Sequence, residues 1–82
     1  MKKTQITKAY SCGRRIRYAL LSSIGEDGTR RYGVAVSCGG EEAEIQDITS
    51  DLEKMLTWII RLQRGCVTPF PLRDIVNDWL LE

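Results

Sequence analysis

The sequence contains no histidine and only three cysteines in 82 residues. Without histidine, the chain lacks the usual general base at neutral pH and a member of most catalytic triads. Zinc sites are usually built from four Cys or His ligands, whereas Cys12, Cys38 and Cys66 lie far apart and form no CxxC motif. We therefore predict a protein that is not an enzyme and holds no metal and no cofactor.

Long apolar runs are also missing. No stretch approaches the roughly 18 apolar residues that a membrane-spanning helix needs. Lys2 and Lys3 resemble the start of a signal peptide, but Gln5 and Lys8 interrupt the apolar segment that should follow. We expect a cytoplasmic protein without a membrane partner. Its length is that of a single domain, residues 1–82.

Alternating apolar residues predict at least three β-strands, because a strand with one buried face has a two-residue period. These strands are residues 15–24, 30–37 and 42–48. The Asp27-Gly28 pair between the first two predicts a hairpin with a type I′ turn, which requires positive φ angles. Residues 1–14 are either a fourth, edge strand or a loose arm.

Residues 50–64 are predicted to form an amphipathic helix, because their apolar residues recur with helical spacing. Ser50, followed three residues later by Glu53, matches a capping box. Gly65 is the expected left-handed residue at the C-terminal end of this helix.

A second amphipathic helix is predicted to follow, with Thr68 as its N-cap and Pro69 as its first residue. Two such helices and a sheet with one apolar face are most simply combined in two layers. The predicted fold is α+β, an antiparallel three- or four-stranded β-meander with two C-terminal helices packed on one face. Tyr18 and Val34 are expected on the covered face, and Arg17 and Leu21 on the open one.

Several segments of the chain together resemble a known family. They are YGVAV, EAEIQDIT, RGCVTP and LRDIVNDWL, and they cover roughly residues 15–81. The chain resembles a family of short uncharacterised proteins from Gram-positive anaerobic bacteria, a domain of unknown function. The resemblance implies the α+β architecture and a cytoplasmic location, and it assigns no catalytic residue. Pro71 departs from the polar residue expected there.

Charge is distributed unevenly along the chain. Residues 1–40 contain eight Lys and Arg and two acids, whereas residues 41–82 contain four Lys and Arg and nine acids. The candidate interaction residues are Arg14, Arg15, Arg17, Leu21, Arg30, Arg31, Asp74 and Asp78. We expect a protein–protein interaction or regulatory module that binds a protein partner or a second copy of itself, because opposite charges on two halves suit such contacts. The working surface is either the open sheet face or the acidic side of the helices.

An alternative function is weak, sequence-nonspecific nucleic-acid binding by the arginines of the first hairpin. Phosphate binding is driven by neutralisation of the backbone and favours one compact basic patch. Arg14 and Arg15 are expected at one end of that hairpin and Arg30 and Arg31 at the other, which disfavours this function.

Two other groups of residues have simpler structural explanations. Cys12 is the one candidate nucleophile, because Arg14 lies close to it in sequence and a positive charge lowers the pKa of a thiol. Asp51 and Glu53 are sufficiently explained by capping and by the helix dipole. We expect no catalytic or metal role for these residues.

Overall fold

The computed structural model describes residues 2–11 and 13–81 and consists of a four-stranded sheet followed by two helices. The elements are β1 (Lys2–Ser11), β2 (Arg14–Ile24), β3 (Arg30–Cys38), β4 (Glu41–Thr49), α1 (Leu52–Arg64) and α2 (Leu72–Leu81). The strands pair antiparallel in chain order, β1-β2-β3-β4. The predicted α+β meander is confirmed, and the N-terminal segment is its fourth strand. None of the described helices is long and apolar enough to cross a membrane.

The inner face of the sheet carries the main core and is covered by both helices. Tyr18, Val34 and Val36 are fully buried there. The helices contact each other through Trp58 and Trp79, whose rings stack with centroids 4.8 Å apart and planes 11° from parallel. The alternation of apolar residues therefore predicted the covered face correctly.

The outer face of the sheet is covered at one point by the backbone of β4, where the pairing of β3 with β4 is irregular. Tyr32 pairs with Thr49 and Val34 pairs with Ile45, so three residues of β4 lie opposite Gly33 alone. A Cβ atom on Gly33 would lie 2.9 Å from the Cα of Gln46. The backbone of β4 thus crosses over Gly33, and only glycine leaves space for it.

The residue at the centre of this crossing is Asp47, which has a φ of 57°. Asp47 is held from two sides, since Arg31 Nη2 donates to its carbonyl oxygen at 3.1 Å and Ser23 Oγ donates to its carboxylate at 3.5 Å. Beyond the crossing, Ile48 turns towards the core and is buried. An uninterrupted alternation would place Ile48 on the other face from Ile45.

Both ends of α1 differ from the prediction. Asp51, rather than Ser50, is the N-cap, because its side chain accepts from the N–H of Lys54 at 3.1 Å. At the C-terminal end Gly65 has a φ of −86°, and the left-handed residue is Cys66 with a φ of 50°. The N–H groups of Cys66 and Val67 bond back to the last turn of α1, which is the Schellman pattern.

The helix α2 begins at Leu72, three residues later than predicted. Phe70 precedes Pro71, and the proline ring disfavours the helical conformation at the residue before it. The first helical bonds therefore run from Leu72 N–H to Pro69 O and from Ile75 N–H to Pro71 O. Thr68 is not an N-cap.

The turn between β2 and β3 also differs in type. Gly28 N–H donates to Gly25 O, and Gly28 has a φ of 82°, whereas Asp27 has no positive φ. This is a type I turn followed by a left-handed glycine rather than a type I′ turn. Thr29 N–H donates to the Asp27 carboxylate at 2.9 Å, and this bond lowers the pKa of Asp27.

The inner face is connected to the loop after α1 by Tyr18. Its hydroxyl donates to the carbonyl oxygen of Val67 at 2.8 Å. Burial raises the pKa of Tyr18 to about 12. Because Val67 also bonds to the last turn of α1, this one hydroxyl connects β2, one of the two central strands, to the end of the helix.

Substitution of Gly33 tests the crossing of β4. Gly33→Ala is expected to lower the free energy of unfolding by about 1–3 kcal/mol, because the added methyl group overlaps the β4 backbone. Gly40→Ala is the matched control, since a Cβ there meets no atom within 4 Å and the φ of Gly40 is not positive. Urea unfolding of both variants checks this, and equal stability of the two would contradict the crossing.

Tyr18 is expected to make stability depend on pH at the alkaline end. Its pKa is higher in the folded chain than the ordinary 10.0, so its contribution is present below pH 10 and is lost as pH rises towards about 12. Tyr18→Phe should lose about 0.5–1.5 kcal/mol at pH 7 and should show a shallower loss of stability above pH 10. Identical alkaline slopes for the two proteins would contradict this role.

Candidate interaction surface

The outer face of the sheet is the surface that the helices leave uncovered. Side chains of alternate residues point to it from β1 and β2, and by register Lys3 lies beside Leu21, Lys8 beside Arg17, and Tyr10 beside Arg15. Small residues, Ala19 and Ala35, lie between the charged rows and are buried. The part of this face formed by β1 and β2 is therefore basic, with a shallow apolar floor.

One ion-pair network spans this face from edge to edge. Lys3 Nζ on β1 lies 2.8 Å from Glu42 Oε1 and 3.3 Å from Glu44 Oε2 on β4. The two edge strands of a four-stranded sheet lie about 14 Å apart, and the extended Lys3 and glutamate side chains bridge this span beside the small residues Ala19 and Ala35. The hydrogen bond from Lys3 raises the pKa of that lysine and lowers the pKa of Glu42.

A larger open depression lies beyond this network, where the β1–β2 and β3–β4 turns meet. We call it the basic depression, and its volume is about 930 Å³. Its lining residues are Tyr10, Gly13, Arg14, Arg15, Arg17, Ser37, Cys38, Gly39, Gly40 and Glu41. The register of β2 with β3 places this site at the turn end, since Ile16 pairs with Cys38.

Positive charge dominates the basic depression. Arg14, Arg15 and Arg17 are exposed, and none of them forms an ion pair within residues 2–11 and 13–81. The guanidinium of Arg15 lies over the ring of Tyr10, 5.8 Å from its centroid, which leaves the donor groups at its edge available. Such guanidinium groups bind carboxylates or phosphates through paired hydrogen bonds.

The structure divides the seven charged residues of the predicted site into three groups. Arg14, Arg15 and Arg17 come together in the basic depression, while Arg30 pairs with Ile24 at the other end of the hairpin. Arg31 is also at that end, where its side chain donates to the carbonyl oxygen of Asp47 in the β4 crossing. Asp74 and Asp78 are exposed on α2, outside this depression.

The expectation that Leu21 is accessible was wrong. Leu21 is 1% exposed and forms a small cluster with Ala19 and Ala35. It pairs in register with Gly33, the residue over which β4 crosses. Its side chain therefore belongs to the core of the outer face and is not available to a partner.

Two contributors to the depression were not predicted, namely Tyr10 and the β3–β4 turn. Tyr10 reaches the site because β1 pairs with β2 so that Tyr10 lies beside Arg15. The signal available in the sequence was the weak alternation of residues 4–10, which was also consistent with a loose arm. Glycines 39 and 40 contribute because they carry no side chain that would fill the depression.

The remaining chemical candidates do not meet in one place. Cys12 lies outside the described residues, Cys38 is buried, and Cys66 is half-buried with its thiol 3.7 Å from Tyr10 O. Asp51 caps α1. Within the part of the chain that the structure describes, no group of three His, Cys, Asp or Glu residues is placed to hold a metal ion.

No curated protein and no solved structure matches this chain. The chain does match the sequence model of a family of unknown function, DUF6514, over residues 1–82. The basic depression and the β4 crossing both lie within the matched region. The chain therefore belongs to the DUF6514 family.

Proposed function

We propose that this protein is a small, non-enzymatic interaction module whose basic depression binds an acidic segment of a protein partner. The observation that carries the proposal is the convergence of Arg14, Arg15 and Arg17 on one open depression, with none of them paired to a described acid. Three exposed guanidinium groups without a partner fit a ligand that brings two or three carboxylates.

The extent of the basic surface favours a short acidic segment over a nucleic acid. Glu41 lines one side of the depression, and Glu42 and Glu44 follow it on β4. Because of these acids, the positively charged surface does not extend beyond the width of the sheet. A nucleic-acid backbone is best bound by a basic groove that follows it for several nucleotides, whereas a carboxylate cluster needs only the depression itself.

Nucleic-acid binding is retained as the second candidate because of Tyr10. Tyr10 is 58% exposed, and its ring lies beside the Arg15 guanidinium on the open face. An exposed aromatic ring next to arginine can stack an unpaired base. Tyr18 and Tyr32 supply no second platform, because Tyr18 is buried and Tyr32 packs against the main core.

Two charge-matched double variants test the proposal. Arg15→Ala/Arg17→Ala removes two charges from the depression, and Arg30→Ala/Arg73→Ala removes two exposed charges elsewhere. Binding of a fluorescent glutamate-rich peptide should weaken about tenfold or more in the first variant, because charged hydrogen bonds contribute roughly 1.5–3 kcal/mol each. The second variant should change the affinity by less than about twofold.

A parallel titration with single-stranded oligo-dT separates the two candidates. Tighter binding of the oligonucleotide than of the peptide, weakening steeply with salt, would replace the proposed function by the second candidate. Equal losses of affinity in both double variants would show that peptide binding depends only on the net charge of the protein, which would contradict a site in the basic depression. No peptide binding by the unmodified protein at low salt would reject the proposed function.

The proposed setting is the cytoplasm of a Gram-positive anaerobe. The resemblance of the segments YGVAV, EAEIQDIT, RGCVTP and LRDIVNDWL to a family from such bacteria supports it. A head-to-tail contact between Asp74 and Asp78 of one copy and the depression of another stays a prediction, with their opposite charges as its support.

A further inference from the structure

The helix α1 has a solvent-facing side that combines apolar and charged residues. Helical spacing brings Glu53, Leu56, Thr57, Ile60 and Arg64 onto this side, which we call the α1 outer face. Met55, Ile59 and Leu62 occupy the opposite, buried side. Ile60 is 37% exposed, and its neighbour Leu56 is half-buried.

This face contains a shallow groove of about 350 Å³, lined by Leu56, Thr57, Ile60, Arg61 and Arg64. Its charged residues are placed at the two ends of the helix, with Glu53 in the first turn and Arg61 and Arg64 in the last. None of these three side chains forms an ion pair with another described residue. The apolar centre of this face therefore lies between charges of opposite sign, each of which also suits its end of the helix dipole.

We propose that the α1 outer face binds the same face of a second copy, with the two helices antiparallel. A two-fold axis near the centre of α1 places Glu53 of one copy opposite Arg64 of the other, and this contact occurs twice. The same axis places Ile60 opposite Thr57, whose small side chain leaves room for it. Charge complementarity selects a second copy as the occupant, and it selects the antiparallel direction.

The size of the contact sets its strength. A helix of 13 residues is about 20 Å long, and one helix pair buries less than the roughly 800 Å² per partner of a standard interface. The dimer is therefore weak and reversible. It leaves the basic depression free, because α1 packs on the inner face of the sheet and the depression opens on the outer side.

Sedimentation equilibrium of the full chain tests this dimer. The average mass should rise from 9.3 kDa towards twice that value between about 10 µM and about 1 mM protein, the range expected of a small interface. Ile60→Ser should remove this rise. Ile24→Ser, at an exposed isoleucine near the β2–β3 turn, should retain it. A strict monomer throughout this range, or equal behaviour of both variants, would overturn the proposal.

Charge reversal tests the antiparallel direction. Glu53→Arg and Arg64→Glu should each weaken the association, because each places like charges opposite one another twice. The double variant Glu53→Arg/Arg64→Glu should regain at least half of the lost association. A double variant that stays as weak as the single ones would overturn the proposal, and far-UV circular dichroism confirms that every variant is folded.

Discussion

The crossing of β4 over Gly33 is the contact on which the shape of this sheet depends. A side chain at that position would collide with the backbone of Gln46. Because β4 passes over glycine, it covers the outer side of the sheet next to Leu21, and Ile48 beyond the crossing turns towards the core. The absence of a side chain at Gly33 thus allows β4 to cover part of the outer face and also to place Ile48 in the core of the inner face.

The two faces of the sheet consequently have different roles. The inner face is covered by α1 and α2, which meet through the stacked rings of Trp58 and Trp79. The outer face is closed near Gly33 by the β4 backbone and is bridged by Lys3 and its two glutamates. The larger open depression lies at the end where the β1–β2 and β3–β4 turns meet, and the arginines of β2 line it.

Periodicity predicted the strands, the helices and the covered face, because alternation and helical spacing record directly which residues are buried. It could not predict that Leu21 is buried, because this burial depends on three residues of β4 lying opposite one residue of β3. Strand propensity contains no information about such a mismatch. The same mismatch ended the expected alternation between Ile45 and Ile48.

The sequence predicted that α1 has a side-chain N-cap and a left-handed residue at its C-terminal end, but not which residues these are. Ser50 and Asp51 are both good caps, and the choice depends on Thr49, whose hydroxyl accepts from Asp51 N–H at 3.1 Å. Pro71 delayed the start of α2 through its effect on Phe70. For the site, strand register correctly separated Arg14 and Arg15 from Arg30 and Arg31. The contribution of Tyr10 required the pairing of β1, which the sequence left open.

The central claim is that the basic depression is where an acidic segment binds. The most direct measurement is a ¹H–¹⁵N NMR titration of the whole chain with a glutamate-rich peptide. The account predicts that backbone shifts concentrate at Tyr10, residues 13–17 and residues 37–41, with α2 and the β2–β3 turn unchanged. Shifts of similar size spread over all basic residues, including Arg30 and Arg73, would contradict it.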